Sequence, residues 1–175
     1  MFKRAKQVRA ALTARITPED RVYISKHLSD REQKLFQSMA PVDQYHAIQV
    51  AKSALELANQ YPETDRDVLR KAALLHDVGK LRGDISTLDK IATVLVHAIS
   101  PRLERLIAHP GKGGTFANLR HAFYIYGHHA CRGAKLAADA GVEPKVVEWI
   151  CRHHQKPQSD DTLEFRLLLE ADNKH

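Results

Sequence analysis

His76-Asp77-Val78-Gly79-Lys80 is the stretch on which the reading of this 175-residue chain turns. An adjacent His-Asp pair at the end of an apolar helix sets two hard, metal-binding side chains on neighbouring positions of one rigid element. One and two turns back from His76 stand Ala72 and Leu69, so the imidazole lies on the buried stripe. Asp77 follows at the helix end, where Gly79 can break the helix and let the carboxylate turn toward the same centre. Imidazole and carboxylate together suit zinc, iron, manganese or nickel, and such a site activates water for hydrolysis.

A buried metal site has to be completed by other inward-facing groups, so each further candidate is tested against the apolar face of its own helix. His46 shares its face with Val50, Ser53 and Leu57. His129 continues into Gly133, Leu136 and Ala140, an inward stripe with a glycine for close packing. His128 continues into Arg132, Lys135 and Asp139, a solvent face, so helical phase selects His129. His153 looks back to Ile150, Trp149 and Val146, and His154 to Cys151, Ile150 and Val147; both faces are apolar, and periodicity does not choose between them. Asp172 ends the face formed by Leu169, Leu168 and Phe165, where a carboxylate needs a cation or a hydrogen-bond network. A lone buried histidine is most often a satisfied polar group. Six coincident placements, His46, His76, Asp77, His129, His154 and Asp172, make that reading poor for the set. His27, His97, His109, His121 and His175 are read as surface residues or supports of the ligands.

Composition sets the frame. The length suits one domain with a full core, and 43% hydrophobic residues is ordinary for a soluble globular chain. Eleven histidines is unusual for this length, and seven of them fall between His97 and His154. The net charge of +6, with Lys3, Arg4, Lys6, Arg9 and Arg15 early in the chain, favours anionic partners, although a solvated positive face is the simpler reading. No basic stripe interleaved with aromatics supports nucleic-acid binding. Cys131 and Cys151 have no CxxC spacing, so neither a thiolate zinc site nor a disulfide framework is indicated, and both are expected to be buried free thiols. The longest apolar run, Ile91 to Val96, is far below the roughly 20 residues of a spanning helix. The segment from Met1 to Ile16 lacks the apolar region of a signal peptide, and a reducing cytoplasm fits best.

The chain reads as helical throughout, with apolar residues at three- and four-residue steps and no sustained strand alternation. Capping-box patterns stand at Thr17-Pro18-Glu19-Asp20, Ser29-Asp30-Arg31-Glu32 and Ser86-Thr87-Leu88-Asp89. Pro41, Pro101 and Pro144 sit where helices should begin, and Gly79, Gly83, Gly127 and Gly141 mark breaks. Helices are predicted near 2–14, 18–28, 30–39, 43–59, 66–77, 87–99, 101–108, 116–124, 128–140, 144–154 and 161–172. His109-Pro110-Gly111-Lys112-Gly113-Gly114 is a plain loop: it lacks the order of a phosphate-binding glycine loop, and no strand precedes it.

The ordered set His46, His76-Asp77, His129, His154, Asp172 resembles the HD-domain metal-dependent phosphohydrolase superfamily. His76-Asp77-Val78-Gly79-Lys80 stands where the HDIG branch has His-Asp-Ile-Gly. His129-Ala130-Cys131-Arg132-Gly133-Ala134 is similar to that branch's HxxxGA element, which again selects His129 over His128. Ile150-Cys151-Arg152-His153-His154 looks like its next helix, and Leu169-Glu170-Ala171-Asp172 like its closing Ala-Asp. The resemblance spans about residues 40 to 172. The signature of the HD-GYP branch is missing, since His153-His154 runs into Gln155-Lys156-Pro157-Gln158-Ser159-Asp160.

This resemblance implies an all-α fold, a single globular HD-domain bundle over 41–175 preceded by a basic helical segment over 1–40. It implies one or two divalent ions (Fe, Mn, Zn, Ni or Co). Asp77 would bridge them, with His46, His76 and Asp172 on one, His129 and His154 on the other, and His153 as an extra contact. Asp77 and Lys80 are the expected catalytic residues, Lys80 stabilising charge on the phosphoryl group. The expected substrate is a small phosphate-containing anion, a nucleotide or a molecule like one, cleaved at a phosphoester or phosphoanhydride bond. Two rival readings use the same residues: a di-iron oxygenase on the same fold, and a non-catalytic metal-binding regulatory module whose basic amino terminus docks on a partner. No motif encodes the substrate, the nuclearity or the oligomeric state.

Overall fold

The computed structural model describes residues 15–86 and 106–175, with positions 89, 92, 93 and 96 between them. The helices expected near 2–14, 87–99 and 101–108 lie wholly or largely outside these residues, as does His97. Seven α-helices are described: α1 Pro18–His27, α2 Asp30–Gln37, α3 Pro41–Leu57, α4 Arg66–Leu75, α5 Thr115–Asp139, α6 Pro144–Arg152 and α7 Leu163–Lys174. A short 3-10 turn, Ala58–Gln60, extends α3. Among the described residues the architecture is all-α, and no helix is long and apolar enough to cross a membrane.

Local chemistry sets where these helices start. Thr17 and Asp20 close a reciprocal capping box on α1, each backbone N–H donating to the other's side chain at 3.2 Å, with Pro18 in the first turn. Ser29 and Glu32 do the same for α2. Asp65 caps α4 by accepting from Val68 N, and Thr162 caps α7 by accepting from Phe165 N. Each such cap contributes about 1 kcal/mol. Pro41 and Pro144 open α3 and α6, where a missing N–H costs nothing.

One core joins all of this. Phe36 of α2, Ile48 of α3, Leu69 and Leu74 of α4, Ile150 of α6 and Phe165 and Leu168 of α7 are at most 2% exposed and belong to a single cluster. Burial of each large apolar side chain contributes roughly 1.5–3 kcal/mol. Helix α3 packs on α4, α5 on α6, and α7 on both α3 and α4, while α6, α2 and α1 also touch α4. Lys71 ties this layer together, its Nζ lying 3.1 Å from Glu32 and 2.8 Å from Glu143. Beyond α4 the chain is pinned by a β-bridge between Met39 and Leu81 and by Arg82 N–H donating to Ser38 O at 2.7 Å.

Two expectations are corrected. The helices predicted near 116–124 and 128–140 are one 25-residue helix, α5, which runs through Gly127 without a break. An internal glycine costs only about 1 kcal/mol relative to alanine. Phe123, Ile125, His129, Gly133 and Ala137 hold the flanking turns in the protein, so packing outweighs that cost. Gly141 does end α5, with φ +84 and Val142 N–H returning to Ala137 O at 3.0 Å. The cysteines are not buried: Cys131 is exposed and Cys151 half-buried. Cys151 packs against the edge of the core, while Cys131 is on the surface of α5.

Candidate metal centre

Five helices deliver donors to one point. His46 comes from the middle of α3, His76 caps the end of α4, and Asp77 follows in the turn. His129 projects from α5, His153 caps α6 with His154 beside it, and Asp172 lies in the last turns of α7. These seven residues form two groups, Asp77 with His129, His153 and His154, and His46 with His76 and Asp172; within each, donor atoms lie inside 4.8 Å of one another.

Asp77 stands between the groups. Its Oδ1 is 3.3 Å from His129 Nε2 and 3.7 Å from His153 Nε2. Its Oδ2 is 3.6 Å from His76 Nε2 and 3.9 Å from His46 Nε2. Asp172 Oδ1 completes the second group, 3.0 Å from His46 Nε2 and 3.5 Å from His76 Nε2. One carboxylate therefore presents one oxygen to each set. Lys80 Nζ spans the same carboxylate at 2.8 and 2.9 Å.

The imidazoles are oriented by their own helices. His76, His129 and His153 each donate Nδ1–H to the carbonyl three residues earlier, Ala73, Tyr126 and Ile150, at 2.8, 2.8 and 2.7 Å. That bond leaves Nε2 as the free nitrogen aimed at the centre, the arrangement metal-binding histidines use to fix their tautomer. His76 Nε2, His153 Nε2 and Asp77 Oδ1 are buried without a hydrogen-bond partner, although the Lys80 charge stands beside Asp77. Orphaned buried polar atoms are rare and costly, about 1–3 kcal/mol each. Two such nitrogens converge with Asp77 Oδ1, which has the Lys80 charge beside it, and this set of two nitrogens and one oxygen fits a divalent cation.

Electrostatics prepares the site in the same sense except at His76, whose Nε2 keeps a proton that a cation would have to displace. Burial disfavours ionised Asp77, but Lys80 and His76 outweigh it and hold the carboxyl well below its ordinary range. Asp172 follows the same pattern through His76 and His46. For His76, burial is likewise overcome, here by Asp77 and Asp172, and the imidazole is raised to about 9. Burial and the Lys80 charge push His129 down to about 4, so its Nε2 is unprotonated at neutral pH. Desolvation of its ring, then His153 and His129, hold His154 below its ordinary value although the residue as a whole is exposed. His154 Nε2 and His129 Nε2 are 2.8 Å apart; with the His129 proton on Nδ1, His154 must be the donor.

Two glycines let the His-Asp turn reach α5. A Cβ on Gly79 would lie 1.9 Å from His129 O and 2.8 Å from Gly133 N. A Cβ on Gly133 would lie 3.0 Å from Gly79 N. Gly79 has no positive φ, so its role is the close approach of backbones and not a left-handed turn.

The six candidate ligands all arrive here, His154 having been chosen by the resemblance and not by helical phase, and His153, which periodicity left level with it, is the more buried of the two at 4%. Lys80 is at the rim of the cluster, its side chain 18% exposed. His128 is exposed, donates Nδ1–H to Tyr124 O and stacks on the Tyr124 ring at 4.2 Å, facing away from the centre. His27, His109, His121 and His175 lie outside both donor groups.

No curated protein and no solved structure matches the chain. The family model described as HD domain matches residues 44–175, well over half of it, and takes in every member of the donor cluster. The protein belongs to the HD domain family, a superfamily of metal-dependent hydrolases.

Proposed function

We propose that this protein is a metal-dependent phosphohydrolase of the HDIG branch, cleaving a phosphoester or phosphoanhydride bond of a nucleotide or nucleotide-like substrate. Residues 41–175 form the catalytic domain, preceded over 1–40 by a basic segment. The observation that carries this is Asp77, whose two oxygens face two separate sets of nitrogen and oxygen donors. His46, His76 and Asp172 would hold one divalent ion, His129 and His154 with His153 the other, and Asp77 would bridge. Such a pair supplies a water activated at neutral pH and a clamp for phosphate oxygens.

The chain's own residues supply the rest. Side chains of His76, Asp77, His129 and His153 are at most 3% exposed and form a dry floor. His46 at 27% and Asp172 at 21% form an open rim through which the phosphate enters. Lys80 is buried enough to lose charge, but Asp77 and Asp43 outweigh that and keep it an ammonium. That ammonium would stabilise charge on the phosphoryl oxygens, where it is worth most in the transition state.

The test begins with metal content. Purified protein supplemented with each divalent metal in turn, without chelator, is expected to retain at least one equivalent by elemental analysis; less than a tenth would sink the reading. Because His76 carries a proton up to about pH 9, uptake should strengthen as pH rises toward that value. Loaded protein is then screened on nucleotides, dinucleotides and generic phosphoesters. Oxygen consumption without phosphate release would favour an oxygenase, and neither activity on any class a structural metal.

The ligand assignment on α5 has its own check. His129→Ala should lower metal content by about one equivalent, whereas His128→Ala should leave it near wild type. The reverse pattern would overturn the choice between them.

A further inference from the structure

We infer that Cys131 and Cys151 form a reversible dithiol–disulfide site, oxidised by small disulfides, that clips α5 to α6. The two sulfurs are 3.6 Å apart although the residues are 20 positions apart on different helices. Unpaired cysteines that serve only as small apolar side chains are normally buried. These two are not: Cys131 is exposed and Cys151 half-buried. Bond formation needs the sulfurs to approach to about 2.05 Å, a movement of roughly 1.5 Å, which rotation about the two χ1 angles can share. The helices themselves are already locked in register, Gly133 of α5 lying so close to Ile150 of α6 that a Cβ there would be 3.2 Å from Ile150 Cγ2. Cys131 stands two residues beyond His129 and Cys151 two residues before His153, so the clip would join the two helices that carry one donor group.

Exposure decides the order of the chemistry. The Cys131 thiolate attacks a sulfur of a small disulfide RSSR, breaking its S–S bond; RS⁻ leaves and takes up the proton that Cys131 gave up. The Cys151 thiolate then attacks Cys131 Sγ in the mixed disulfide. A second RS⁻ leaves, again with one proton. The protein has lost two electrons and two protons, and RSSR has become two RSH. Excess dithiol reverses both steps.

The experiment uses the full chain and oxidised glutathione, read by intact mass and by thiol titration after denaturation. Wild type is expected to end with no titratable thiol, a mass lower by two hydrogens and no glutathione adduct. It should regain both thiols with dithiothreitol. Cys151→Ser should stop at the adduct on Cys131, and Cys131→Ser should react slower by on the order of tenfold. Closure should also raise Tm by on the order of 5 °C, reversed on reduction. A stable adduct on wild type, disulfide-linked dimers through Cys131, or two thiols still free would each overturn the proposal. None of these readouts depends on metal or on turnover, so failure here leaves the phosphohydrolase reading untouched.

Discussion

Asp77→Ala is expected to leave the protein without bound metal and without phosphate release above background. Among the described residues Asp77 alone sets one carboxylate oxygen toward each donor group, so its loss removes a ligand from each at once. It also strands Lys80, whose ammonium has Asp77 at 2.8 Å, and a buried charge deprived of its partner is strongly destabilising. The Asp77→Ala/Lys80→Ala double variant separates the two effects, since it removes the ligand without leaving that ammonium unpaired. Lys80→Ala should behave in the opposite way. Before a cation binds, Lys80 competes for both carboxylate oxygens, so its removal should leave metal affinity equal to or tighter than wild type while turnover falls by on the order of a hundredfold. Elemental analysis and turnover, measured on all three variants, decide the matter. A Lys80→Ala protein that loses its metal would show that the lysine holds the site together and does not act on substrate.

Gly79→Ala should cost on the order of 4 kcal/mol, or yield no soluble protein at all. The added methyl would sit 1.9 Å from His129 O and 2.7 Å from His129 C, and neither atom can rotate away. Helix α5 must therefore lift off the His-Asp turn, carrying His129 away from Asp77. Gly133→Ala meets Gly79 N at 3.0 Å and the flexible end of Ile150 at 3.2 Å, so about 1–2 kcal/mol is expected. Urea unfolding, with chelator present to remove any contribution from metal, gives both values. Since domains of this size are stable by only about 5–15 kcal/mol, the first change consumes much of the total. A Gly79→Ala midpoint equal to wild type would mean that the turn and α5 do not touch.

Much of this was legible in the linear chain. Thr17 and Ser29 are short polar side chains that satisfy N–H groups within three residues, and such contacts depend on neighbours in sequence alone. The same holds for the contrast between His128 and His129: a 100° step around one helix sends one to solvent and the other to the core. Gly127 misled because its local preference is worth about 1 kcal/mol, less than the burial of Phe123, Ile125 and Ala137 around it. His153 and His154 were level because α6 ends at Arg152 and helical phase stops applying there.

By itself, the sequence determined the helical character, the starts of several helices and the inward faces of His46, His76, His129 and Asp172, because these follow from period and from bonds spanning three or four residues. Only the tertiary structure decided that Asp77 divides its oxygens between two donor groups, that Gly79 and Gly133 bring two backbones into contact, and that Cys131 meets Cys151. Periodicity says which face of a helix is buried, not which residue of another helix it meets; that is set by how α3 to α7 pack together.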